Sequence, residues 1–292
     1  TIQQQSASRA LSSSTFRTPD WVKNAIFYQI FPDRFRDGDP NNNAIGDGGS
    51  GDILWKAWSR GSIVYAEKMQ WNQVPEVGPP WGADWFGGDL KGVQDKAQYL
   101  ADLGITAIYF NPIMDSTDNH GYTVIDYKSV NRYFGAHKRA PNGTLILDAD
   151  TSLQVFKNMT EALDNYGIKV ILDGVFNHVS AKHQWFGRDN DFPTLGAFES
   201  KASPWFTWFN FYDWPNSYQS WSGVLNMPEV IEVNDFKNYV FGDPNGSVIK
   251  FWNDLGVDGW RLDTGSDVSH TFWKEFRTAY KQLDPDGYIV GE

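Results

Sequence analysis

Cysteine is absent from the 292-residue sequence, which excludes a disulfide framework and a thiol nucleophile. Positive charge is scarce: 25 Lys and Arg stand against 36 Asp and Glu, a formal net charge of −11. Nucleic-acid binding needs clustered cations to neutralise phosphates, so no nucleic-acid partner is expected. No run approaches the roughly 20 apolar residues of a membrane span, and no membrane partner is expected either. Neither a Gly-x-Gly-x-x-Gly nor a Walker signature follows the first strand-like run, which argues against a nucleotide fold. The first residues carry no signal-peptide pattern. Lack of cysteine is compatible with secretion by a bacterium and with its cytoplasm. The extracellular location is the expectation and the bacterial cytoplasm the alternative.

What is abundant is aromatic. Phe, Trp and Tyr make up 16% of the chain, with 14 Trp. Hydrophobic residues at 41% and charged residues at 21% mark a globular chain. Tryptophans on this scale either fill a core or stack on sugars, because a pyranose C–H face packs on an indole while the polar edges stay free to hydrogen-bond. A neutral polymer suits the acidic balance better than a charged one.

Residues 1–18, rich in Gln, Ser and Thr, read as a flexible tail or linker. Asn24–Phe31 is the first strand, and residues 36–86 form a long loop of Gly, Asp, Asn, Pro and Trp. Asp89–Leu103 has helical spacing, with Leu90, Val93, Ala97, Leu100 and Leu103 on one face and Gly104 as the stop. Ile105–Phe110 is the second strand, Thr151–Tyr166 a helix ended by Gly167, and Ile168–Val175 the third strand. Residues 179–234, irregular and aromatic, read as an inserted subdomain. Residues 235–255 are helical in part, 257–262 form the fourth strand, 269–283 a helix and 288–291 the fifth strand. Alternating strands and helices with apolar strands predict a parallel sheet covered by helices. Acids at the strand tips favour a (β/α)8 TIM barrel over a doubly wound sheet. About the first five β/α units are present, with the barrel in residues 19–178 and 235–292 and the subdomain after strand three. Eight strands complete such a barrel, so the remaining C-terminal half is an expected partner.

Two acids stand at those tips. Asp258-Gly-Trp-Arg-Leu-Asp263 ends the fourth strand, and its alternation puts Arg261 and Asp263 on one face. Glu292 ends the fifth strand. A carboxylate at the C-terminal end of a barrel strand is where such enzymes place chemistry, and a pair of them points to glycoside hydrolysis.

The motifs in order resemble the α-amylase family of glycoside hydrolases, most closely its neopullulanase and amylopullulanase-like members. The blocks are Gly104–Pro112, Asp173-Gly-Val-Phe-Asn-His178, Gly259-Trp-Arg-Leu-Asp263 and Gly291-Glu292, with Asn119-His120-Gly-Tyr122 and Phe86-Gly-Gly-Asp-Leu90 beside them. The resemblance runs from about Thr18 to Glu292. It implies Asp263 as the nucleophile of a retaining mechanism, kept ionised and oriented by Arg261. It implies Glu292 as the general acid/base, protonated at rest through partial burial and the neighbouring Asp263 charge. His178 and His120 would meet sugar hydroxyls, Tyr122 would stack under a sugar, and Asp173 would support the site. The family's third catalytic carboxylate follows strand seven in a His-Asp pair, a segment this sequence does not contain, so these 292 residues alone are expected to be inactive.

The loop Asp37-Gly-Asp39-Pro-Asn-Asn42-Asn43 gathers hard oxygen ligands but lacks the Gly and Glu of an EF-hand. Such strings also form plain solvated turns. The resemblance implies a structural Ca2+ here, held by Asp37, Asp39, Asn42, Asn43, Gly87 and Asp89. Asp37 stands where neopullulanases commonly have Asn, and Asn43 where they have Asp. The candidate stacking residues are Trp81, Trp85, Trp205, Trp208, Trp214 and Trp221, with packing as the other role open to each. The segments Thr264–Val268 and Met227–Ile231 depart from the neopullulanase pattern, leaving specificity open. The expected activity is cleavage of α-1,4 bonds, with α-1,6 bonds as a further target, in starch, pullulan or maltodextrins. The alternatives are a glucanotransferase on the same scaffold and a non-catalytic glucan-binding fragment.

Overall fold

The computed structural model describes residues 17–46, 51–56, 63–75, 82–188 and 192–292. The tail at 1–16 and the candidate stacking residue Trp81 lie outside them. Five short strands carry the architecture: β1 (Phe27–Ile30), β2 (Ala107–Phe110), β3 (Lys169–Gly174), β4 (Gly259–Leu262) and β5 (Tyr288–Gly291). They pair in chain order, and every pairing is parallel. Each lies inside the strand predicted from sequence. These runs are rich in aliphatic and aromatic residues that favour a pleated surface covered on both faces.

Alternation divides the sheet into two faces. Register aligns Gln29 with Tyr109, Tyr109 with Ile171, Asp173 with Arg261 and Arg261 with Val290, so these side chains share the concave face. Ile108, Phe110, Val170, Leu172 and Trp260 lie on the other face, each at most 1% exposed. They bury against the helices, and a side chain of this size gains about 1.5–3 kcal/mol from such burial.

The connecting helices are α1 (Leu90–Asp95), α2 (Ala97–Asp102), α3 (Ala149–Asp164), α4 (Val248–Asn253) and α5 (His270–Leu283). The single helix expected over 89–103 is thus two, parted at Lys96, whose backbone leaves the helical region (φ −103°, ψ 9°). The first four residues of the predicted apolar face are buried, whereas Leu103 is 52% exposed. It falls past the end of α2, where Gly104 turns the chain at φ +83°. Asp89 caps α1 by accepting the Gly92 N–H at 2.6 Å, and Asp148 and Ser269 cap α3 and α5.

The sequence left residues 113–147 without elements. The chain there forms an antiparallel pair, Met114–Ser116 with Val124–Val130, and a second, His137–Arg139 with Leu145–Leu147. Residues 192–233 are mostly turns around a two-stranded pair, Phe211–Asp213 with Ser217–Tyr218. Trp185 joins this segment to the strand Val124–Val130 and to the short helix Asn234–Lys237: its ring lies 4.8 Å from Trp208 and 5.9 Å from both Tyr127 and Phe236.

At the N-terminal end of the sheet the first and fifth strands meet through rings. Phe27 and Tyr288 are 5.8 Å apart, and Trp21 packs on both, at 6.4 and 5.9 Å. The Trp21 indole N–H donates to the Asp286 carbonyl at 3.0 Å. The sheet is therefore rolled, with its two outer strands touching across the concave side.

Candidate active site

The opposite rim holds the acids. Asp173 on β3, Arg261 on β4, Asp263 just past β4 and Glu292 just past β5 follow the same alternation, so their side chains converge. The Arg261 guanidinium links all three carboxylates. Its Nη1 donates to Asp263 Oδ1 at 2.8 Å and to both Asp173 oxygens at 3.1 Å. Its Nη2 lies 2.9 Å from Glu292 Oε1. The planar fork of Arg suits this task, whereas a lysine would hold one partner as a point charge. The other Glu292 oxygen accepts the Thr264 N–H at 2.8 Å. Thr264 adopts φ +46°, an uncommon conformation for a β-branched residue, and this turns its N–H toward Glu292. Partial burial was expected of Glu292, but its side chain is exposed, at 54%.

Sequence reasoning did not single out Tyr109. Its hydroxyl donates to Asp173 Oδ2, which also accepts the Tyr122 hydroxyl at 3.0 Å. Asn111 Nδ2 donates to the Tyr122 oxygen at 3.3 Å, and Gln29 donates to Asn111 Oδ1 at 2.9 Å. The strand pattern contained a signal: Tyr109 and Gln29 are polar tips at concave-face positions of short strands. Asp173 is thus fixed by β2, by β4 and by the loop bearing Tyr122. Burial, the largest influence, pushes its carboxyl up to about 7 against the downward pull of Tyr109 and Arg261. Burial also raises Asp263, with the Glu292 charge adding to it and Arg261 opposing.

The Asn119–Tyr122 loop is built around Asp118. Asp118 Oδ1 accepts the Gly121 N–H at 3.0 Å and lies 2.8 Å from His120 Nδ1; Oδ2 accepts the Thr123 hydroxyl. Gly121 sits at φ +84°, and a Cβ there would come within 2.2 Å of the Pro112 carbonyl oxygen, so only glycine fits. Burial opposes a charge on His120, but the Asp118 and Asp263 carboxylates outweigh it and raise its pKa. His120 and Tyr122 rings are neighbours at 5.7 Å. His178 is 1% exposed. Its Nε2 lies 3.1 Å from the Tyr122 carbonyl and its Nδ1 lies 3.4 Å from Asn177 Nδ2. Burial drives it down to about 4, so it is neutral at physiological pH.

Trp221 stands 5.8 Å from the His178 ring, and Trp205 and Trp214 are partly exposed. Trp85 and Trp208 are core residues, 1% and 7% exposed. Trp85 packs on Tyr133 at 4.3 Å.

The Asp37–Asn43 loop lies against the Gly87–Asp89 segment. Asp37 Oδ1, Asn42 Oδ1 and Asn43 Oδ1 are buried oxygens that accept no hydrogen bond. Unpaired buried acceptors are costly, and hard oxygens of this kind are the ligands calcium prefers, in sets of about six to eight. In this respect the donor set fits. Asp89 is otherwise engaged: its oxygens accept the Gly38, Asp39 and Gly92 N–H groups and the Asn42 amide. Asp39 accepts from Asn41. Among the described residues no three His, Cys, Asp or Glu converge on one point, so a cation here would depend on carboxamides and backbone carbonyls. Among the described residues no helix is long and apolar enough to cross a membrane.

The chain matches the family described as alpha amylase, catalytic domain, over residues 29–292. It is 34% identical over 308 residues to an amylopullulanase of Thermoanaerobacterium saccharolyticum, covering 95% of this chain and 22% of that protein. It is 35% identical over 288 residues to neopullulanase 2 of Thermoactinomyces vulgaris, covering 96% of this chain and 40% of that protein. Among solved structures it is similar to the type III pullulan hydrolase of Thermococcus kodakarensis. There the TM-score is 0.75 and the identity 29%, over 95% of this chain and 44% of that one. The chain thus spans less than half the length of each of these relatives.

Proposed function

The chain belongs to the α-amylase catalytic-domain family, a (β/α)8-barrel family of which the five strands here form part, and from that premise we propose that it carries the nucleophile and the acid/base of a retaining α-glucan hydrolase. The observation that carries this reading is one guanidinium holding Asp263 and Glu292 together. In the proposed double displacement Asp263 attacks the anomeric carbon and forms a glycosyl ester, while Glu292 protonates the leaving oxygen. Glu292 then takes a proton from water, which releases the sugar with its configuration retained. Arg261 keeps Asp263 ionised and aimed; Asp173, locked by two tyrosines, keeps Arg261 in place. Tyr122 is the floor for the sugar ring and His120 binds a hydroxyl. His178, whose Nε2 faces the Tyr122 carbonyl, serves that sugar subsite by holding the floor. α-1,4 linkages in maltodextrin, starch or pullulan are the proposed substrate, in keeping with relatives named for pullulan. Ca2+ is proposed as a structural clip on the Asp37–Asn43 loop, held through Asp37, Asn42 and Asn43 with Asp39 and Gly87, while Asp89 supports the loop by accepting the Gly38 and Asp39 N–H groups; bound there it would neutralise buried oxygen charge.

The test is reducing-sugar release from maltodextrin and pullulan by the full-length protein, wild type against Asp263→Asn. A loss of at least about a thousandfold in kcat is expected, because no neutral amide can form the ester. Equal rates would end the nucleophile assignment. Early products followed by proton NMR should be α-anomers, and β-anomers would exclude retention.

A further inference from the structure

A lysine stands at the proposed calcium cradle. Lys68 lies on the strand Glu67–Lys68, which pairs with Asp84–Trp85 just before the glycines of residues 87 and 88. Its ammonium donates to the Phe86 carbonyl at 3.1 Å. A methyl built on Gly87 would fall 2.1 Å from Asn43 Oδ1 and 2.3 Å from Lys68 Nζ. The ammonium and the unpartnered carboxamide oxygen therefore face the same small volume above the Gly87 Cα. Gly87 itself sits at φ +89°, so the space is reserved by both sterics and backbone. Asn43 is oriented by donating its Nδ2 to Asp37 Oδ2 at 2.8 Å, which leaves its Oδ1 turned away from that carboxylate. Asn42, 2% exposed, contributes a further buried oxygen that accepts nothing.

We infer that Lys68 is a tethered cation that shares this oxygen cradle, so that its ammonium and a calcium ion compete for it. Two positive charges cannot occupy neighbouring positions in a partly buried site without strong repulsion. To accept calcium, the loop must expel the ammonium toward solvent and break its bond to Phe86. The lysine needs no concentration of free metal, because its chain delivers it. The loop in this protein is therefore held with a weaker dependence on calcium than its oxygen set alone would give. This rests on the reading of residues 37–43 and 87–89 as a cation cradle.

Calorimetric titration of CaCl2 into chelator-stripped full-length protein tests it, with thermal unfolding as the second readout. Lys68→Met should bind calcium at least tenfold more tightly than the wild type and gain more melting temperature from it. Lys68→Arg, which keeps the charge, should stay at the wild-type affinity. Lys68→Gln, which keeps a donor for the Phe86 carbonyl without the charge, should follow Lys68→Met and covers the case in which the methionine variant misfolds. Adding Asp37→Ala to the tighter variant should abolish the gain. Equal affinity in wild type and the uncharged variants, lost on Asp37→Ala, would overturn the competition and leave the cradle standing. A gain that survives Asp37→Ala would place it elsewhere and overturn the inference. No calcium binding by any variant would remove the cradle, and the inference with it.

Discussion

Single side chains here are set by who faces them in the interior. His183 is fully buried, its ring 4.0 Å from Trp185, and its Nδ1 accepts the Trp185 N–H at 3.1 Å. Burial drives its pKa down to about 3 from the usual 6.5. The unfolded chain takes up a proton near pH 6.5 and the folded chain only far below it. The stabilising contribution is thus complete above pH 6.5 and is lost as pH falls toward 3. Between pH 7 and pH 5 this group alone should cost about 2 kcal/mol, and His178, lowered to about 4, adds to the same trend. In His183→Asn the amide oxygen can accept the same N–H without titrating. Urea midpoints of wild type and variant at pH 7 and pH 5 should show the smaller acid loss in the variant; parallel losses would contradict the assignment. At this scale Asp263, Arg261 and Glu292 were legible because strand alternation fixes which side chains share a face. Tyr109 was not, since an aromatic in an apolar strand reads as packing until its hydroxyl is seen to meet Asp173. Lys68 was hidden for another reason: its strand pairs with Asp84–Trp85, beside Phe86 and Gly87, and no local pattern announces that pairing.

Elements were legible where one period ran unbroken. On α5, Phe272, Phe276 and Tyr280 recur every four residues, and all three have no exposed surface. Ser269 starts this helix by accepting the Phe272 N–H at 3.1 Å, while the Glu232 carboxylate accepts the Ser269 N–H at 2.7 Å. Phe276 lies 5.7 Å from Phe176, 6.0 Å from Phe241 and 6.4 Å from Trp260, ring to ring. Phe276→Ala should therefore cost about 3–5 kcal/mol, read as a lower denaturant midpoint at unchanged slope; a change under 1 kcal/mol would mean the site collapses to fill the gap. The pair Met114–Ser116 with Val124–Val130 escaped detection because its buried positions include acids. Asp115 is 2% exposed and survives there by accepting from Nε and Nη2 of Arg132. Tertiary pairing made a polar strand admissible, and alternation alone could not foresee the partner.

For the molecule as a whole, strand order and curvature followed from the sequence: apolar strands alternating with helices leave a parallel sheet rolled toward a barrel as the economical arrangement. What closes the base was not foreseen, because Tyr288 lies far along the chain from Trp21 and Phe27. Trp21→Ala removes two ring contacts and the bond to the Asp286 carbonyl. It should cost roughly 1–2 kcal/mol at this half-buried site. Trp21→Phe, which keeps a ring and loses the N–H, should fall between the two in melting temperature. Identical melting of all three would show that the base carries no load.

That three-ring rivet gives the rolled sheet the mechanics of a hand fan. Dispersion grips the sticks at one end and is indifferent to dissolved ions. The far ends are tied by charge, through the one guanidinium that meets Asp173, Asp263 and Glu292, and charge is what electrolyte screens. Raising ionic strength should therefore slacken the charged rim first, while the pivot keeps its grip.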